Sequence, residues 1–172
     1  TKQSVESTVA DLQSRFGNEG AIAGPLAKLS ATWAPLGKSA DQIVASEAAV
    51  LALAGNADRF ATQVPNLQAQ LNEVVRAMSA GGAPSSQIYS ALQQVVLAGT
   101  MARRVTEIRA GGAGAATAGD ALGRDAVLFD QVLDGLRDGN PDLGIAAVRN
   151  GAALTALQNS QTLWTAMKKD LD

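Results

Sequence analysis

Apolar residues recur at alternating spacings of four and three through nearly the whole chain. That repeat commits the chain to helices that each bury one stripe, because a half-buried strand would need alternation at every second residue. The first stripe is Val5, Val9, Leu12 and Phe16, closing at Gly17-Asn18. The second runs Ile22, Leu26, Leu29, Trp33, Leu36, Ala40, Ile43, Glu47 and Val50. Pro25 fits its first turn, and Pro35, inside the register, predicts a kink. Gly55-Asn56 predicts the end of that helix, which would then be about 50 Å long.

The third stripe, Phe60, Val64, Leu67, Leu71, Val74 and Met78, leads into the connection GGAPSS at 81–86. The fourth is Ile88, Leu92, Val95, Gly99, Ala102 and Val105, followed by GGAG at 111–114. The fifth, Leu122, Ala126, Phe129, Leu133 and Leu136, stops at Gly139-Asn140-Pro141. The last is Leu154, Leu157, Gln161, Trp164, Lys168 and Leu171. A period near 3.5 favours shallow crossings. The predicted fold is therefore all-α: an elongated antiparallel helical bundle, four-helix-bundle-like, with two stacked modules as the variant. Residues 1–172 read as one domain, with a possible module junction near 81–86.

Aromatics make up only 3% of a chain that is 47% hydrophobic. A core built mainly from Ala, Leu and Val suits close-packed helices rather than a sheet sandwich. The net charge of −2, from 14 basic and 16 acidic residues, argues against nucleic acid, whose binding needs a basic surface. There is no Cys and no His, which removes thiolate nucleophiles and the commonest metal ligand and neutral-pH base. No catalytic residue, metal or cofactor is expected. No apolar run approaches the roughly 20 residues of a membrane span. The opening TKQSVESTVADLQSRF reads as helix rather than as a leader.

Charged clusters were weighed as sites. In VLAGTMARRVTEIRAGG at 96–112, Arg103 and Glu107 stand four apart and should pair weakly, while Arg109 complements the helix C-terminus. An anion clamp between helices is the functional alternative. The GGAG loop lacks the Lys-Ser/Thr of a phosphate cradle and reads as a helix stop. Asp120 and Arg124 read as a surface pair rather than as part of a carboxylate dyad with Asp125 and Asp130. Trp33 and Trp164 read as core anchors. Glu47 and Gln161 hold apolar stripe positions, so they either specify register or line a small polar pocket between helices.

Several stretches, in order, resemble the periplasmic sensor region of PilJ-type transducers, the methyl-accepting-chemotaxis-like receptors of type IV pilus systems. They are TWAPLGKSADQIVASEAAV at 32–50, VPNLQAQLNEVV at 64–75, GGAPSSQIYSALQQVVLAGTMARRVTEIRAGG at 81–112 and AGDALGRDAVLFDQVLDGLRDGNPDLGI at 118–145. The resemblance implies a helical periplasmic domain of a bacterial inner-membrane protein, held between transmembrane helices that lie outside this chain. It implies a homodimeric receptor that senses pilin or pilus state and controls twitching motility through a cytoplasmic kinase. Related nitrate-responsive kinases carry a pattern R-Q-R-M-L-x-Q-R. At 93–100 only Gln94 and Leu97 match it, and its Arg positions fall on Gln93, Val95 and Thr100. A nitrate-like anion site is therefore not expected. A small-molecule sensor with a pocket near Glu47 or Gln161 is the alternative function.

Overall fold

The computed structural model describes residues 1–171. Five α-helices account for most of them: α1 Lys2–Phe16, α2 Gly20–Ala80, α3 Ser85–Ala110, α4 Ala115–Asp138 and α5 Gly151–Lys168. Among the described residues the only β pairing is a single bridge between Asn140 and Ile145, so the all-α expectation holds. The chain divides into two compact units, Thr1–Leu51 and Ala52–Asp172.

In the first unit, α1 is capped by Thr1, whose hydroxyl accepts from the Ser4 N–H at 3.4 Å. The chain turns at residues 17–19 and enters α2 at Gly20, so Pro25 lies past the first turn rather than in it. Val9 and Leu26 are buried. Lys2 ties the two helices, pairing with Glu6 at 3.4 Å and with Asp41. Beyond that pair the stripe predicted for α2 is uncovered, with Ile43 73% and Val50 60% exposed.

The second unit packs residues 52–80 of α2 with α3, α4 and α5 around one core. Named pairs fix the directions. Asp58 of α2 meets Arg109 of α3, and Gln68 donates to the Val95 carbonyl at 3.0 Å. Arg104 of α3 meets Asp125 of α4 at 2.6 Å, and Asp134 of α4 accepts from Gln161 of α5 at 3.1 Å. Numbers rise along one helix as they fall along its neighbour, which is the up-and-down order of a four-helix bundle.

Every residue of the third and fifth predicted stripes is buried, with Phe60, Leu67, Val74 and Phe129 at zero exposure. The fourth stripe lies one residue from its predicted register, and the last keeps Leu157 and Trp164 in the core but not Leu154, Gln161 or Lys168. On α3 the buried face is Gln87, Ala91, Gln94, Ala98, Met101 and Val105, while Leu92 is 43% exposed. Alanines at 91 and 98 let neighbouring helices approach closely, and the intervening glutamines turn inward with them. Gln87 donates to the Ala146 carbonyl at 2.8 Å. On α5 the seam runs through Ala153, Leu157, Ser160 and Trp164. Ser160 satisfies its hydroxyl on the Ala156 carbonyl at 3.0 Å, and Gln161 stands beside the seam.

The helix stop expected at Gly55-Asn56 is absent, because α2 runs on to Ala80. One interior glycine costs about 1 kcal/mol relative to alanine, and burial of Ala57 and Phe60 one turn later outweighs it. Asn56 is held by Arg59, which donates to its side-chain oxygen at 2.5 Å. The connections at 81–84 and 111–114 are where the glycines place them. After α4, Gly139 (φ +93°) and Gly144 (φ +65°) supply conformations that other residues rarely adopt. They bracket the short 3-10 turn Pro141–Leu143 that the Asn140 side chain caps.

Candidate functional site

Besides the inward glutamines of α3 and Ser160, the core of the second unit meets a charged group at Trp164. Trp164 is 2% exposed, its ring centroid 4.5 Å from that of Phe129 and 6.4 Å from that of Phe60. An indole N–H buried this way needs an acceptor. Asp130, next along α4 from Phe129, provides it at 2.6 Å. The other carboxylate oxygen of Asp130 accepts from Lys168, one turn beyond Trp164 on α5. The three side chains run from the aromatic core out to the rim of the bundle. Asp130→Ala is expected to lower the unfolding free energy by about 1–3 kcal/mol, because it leaves the indole donor unsatisfied. Asp130→Asn, which keeps an acceptor, should lose less, and urea denaturation distinguishes the two.

Beside Lys168 a cavity of about 370 Å³ opens at the end of the unit where α3 stops, α4 starts and α5 stops. Its walls are apolar, from Leu53 and Ala57 of α2, Val105 and Ile108 of α3, and Leu122 and Ala126 of α4. Arg109, Lys168 and Asp170 supply its charges. Each already has a partner: Arg109 pairs with Asp58, Lys168 with Asp130, and Asp170 with Arg59 at 2.8 Å.

The residues singled out from sequence fall in several places. Arg103 donates to Thr100 at 3.0 Å. Among the described residues neither Arg103–Glu107 nor Asp120–Arg124 forms an ion pair, whereas Arg104 crosses to Asp125. Arg109 occupies the last turn of α3, as expected, and reaches across to α2. Glu47 is exposed in the first unit. Gln161 is half-buried in the second, where with Arg137 it borders a shallow surface concavity. Trp33 is only half-buried. Sequence reasoning passed over the Trp164–Asp130–Lys168 chain, although a lysine in an apolar stripe four residues after a tryptophan was its signal.

The Asp138 carboxyl is held below its usual range by hydrogen bonds from Arg137, and the Lys2 ammonium is raised by Asp41, but all these groups are at the surface. Among the described residues no cluster of acidic side chains could hold a metal ion. No helix among them is long and apolar enough to cross a membrane.

No known family profile matches the chain. It is 36% identical over 132 residues to the putative methyl-accepting chemotaxis protein AlkN of Alcanivorax borkumensis, covering 77% of this chain and 20% of that protein. It is 36% identical over 129 residues to the protein PilJ of Pseudomonas aeruginosa, covering 75% of this chain and 19% of that protein. The chain thus spans about a fifth of the length of these relatives. Over three quarters of its own length it is related by sequence to PilJ-like chemotaxis transducers, as the four stretches at 32–145 led us to expect.

Proposed function

We propose that this PilJ-like segment, residues 1–172 acting together, is the periplasmic sensory domain of a chemoreceptor-like transducer that controls type IV pilus twitching motility. The observation that carries the reading is the 36% identity to PilJ and to a second chemotaxis protein over about three quarters of the chain. In this reading the whole receptor is a homodimer in the bacterial inner membrane, anchored by helices outside this chain. Its stimulus is pilin, the major pilus subunit, and its output is a displacement of helices passed to the membrane. A partner shifts such an equilibrium only through differential affinity for two packings. In this reading the displacement is a small slide of packed helices, and Gly99 leaves room for the Gln68 amide that spans to the α3 backbone, since a Cβ there would stand 3.1 Å from it.

Titration of the purified domain with the soluble major pilin of the same organism, against an unrelated pilin, tests the proposal. Saturable binding to the cognate pilin alone is expected. No binding at millimolar concentration would remove pilin as the direct stimulus.

A small-molecule sensor is the second reading, favoured by the cavity beside Lys168. Glu47 and Gln161 enter that reading as ligands proposed from the sequence. Glu47→Ala and Gln161→Ala variants with undiminished metabolite affinity would exclude them.

A further inference from the structure

The cavity at the α3–α4–α5 end combines three features of a ligand site. Its volume, about 370 Å³, lies in the range of small-ligand pockets. Its α4 wall carries Gly119 and Gly123, one turn apart, and a Cβ on either would meet nothing within 4 Å. Glycine disfavours an interior helical position relative to alanine. No neighbouring side chain or backbone needs that space, so the effect of the pair is to leave the wall recessed. Third, an otherwise apolar lining carries two cations, Arg109 and Lys168, and one carboxylate, Asp170, each of them paired with another residue of the chain.

Arg109 can serve a ligand without leaving its partner. Its pair with Asp58 is exposed, with side chains 54% and 60% accessible, so the pair holds the guanidinium only weakly. A guanidinium has five donors and can take a second acceptor.

We propose that this cavity binds a medium-chain monocarboxylate, its aliphatic body against Leu53, Val105, Ile108 and the α4 glycines and its carboxylate at Arg109 and Lys168. The site is built from neither Glu47 nor Gln161, and the proposal stands whether or not the domain binds pilin. Binding has a route to the core. A carboxylate that draws Lys168 from Asp130 alters the acceptor of the Trp164 indole, and Trp164 packs on Phe60 and Phe129.

The test uses octanoate as probe on the full chain carrying Trp33→Phe, so that Trp164 is the only tryptophan. A saturable change in Trp164 emission, matched by calorimetric titration, is expected. Acetate, which lacks the body, and 1-octanol, which lacks the charge, should each bind at least about tenfold more weakly. Arg109→Gln should weaken octanoate by about tenfold. Gly123→Leu should abolish octanoate binding while the melting temperature holds or rises, because the side chain fills open space in a helix. No saturable signal at millimolar octanoate would overturn the proposal, as would a Gly123→Leu protein that is folded and binds normally. Equal affinity for 1-octanol would overturn the role given to Arg109 and Lys168.

Discussion

Phe129→Ala is expected to lower the unfolding free energy by about 3–5 kcal/mol, the cost of truncating a fully buried aromatic side chain in a core that collapses only partly around the void. Phe129 has zero exposure, and its ring lies 4.5 Å from Trp164, which in turn lies 6.4 Å from Phe60 of α2. Three helices therefore share one aromatic cluster in a chain whose core is otherwise aliphatic and small. Deleting the Phe129 ring removes one of the two aromatic contacts of Trp164 and lets water approach the Trp164–Asp130 hydrogen bond. Urea denaturation followed by circular dichroism measures the loss. A change below about 1 kcal/mol would show that the surrounding core closes over the gap. Phe129→Leu should cost less, because it keeps part of the volume.

The position of Phe129 was readable because its stripe is unmixed. From Leu122 to Leu136 every position of the predicted stripe is apolar and buried, so periodicity alone located the face. The same reasoning placed α3 one residue off. Its seam carries alanine and glutamine, and a pattern scored by apolarity preferred Leu92 to Ala91 and Val95 to Gln94, although the structure buries the second of each pair. Burial there is decided by side-chain size at a close helix contact, which only the neighbouring helices disclose. Gly55-Asn56 misled for a related reason: local stop chemistry was outweighed by Ala57 and Phe60 joining a core that forms through contacts distant in sequence. The candidate site was the least legible part. Its lining comes from four helical segments, and two of its distinguishing residues, Gly119 and Gly123, matter through the side chains they lack.

Pro65→Ala is expected to raise the unfolding free energy, by up to about 3 kcal/mol, the penalty for proline in a helix interior. Pro65 lies well inside α2, fifteen residues before its last residue, Ala80. It is exposed and supplies no amide to the carbonyl one turn earlier. Its neighbours Val64 and Leu67 are 4% and 0% exposed, so core burial on both sides holds the helix through the defect. Alanine restores the missing donor and removes the ring's clash with the preceding turn while touching no core contact. Denaturant unfolding measures the gain, and amide exchange of residues 61–65 reports whether the new hydrogen bond forms. An unchanged or reduced stability would carry a different meaning. It would show that the backbone geometry proline imposes at position 65 helps bring Val64 and Leu67 into the core together, so that changing it costs more packing than the recovered hydrogen bond returns.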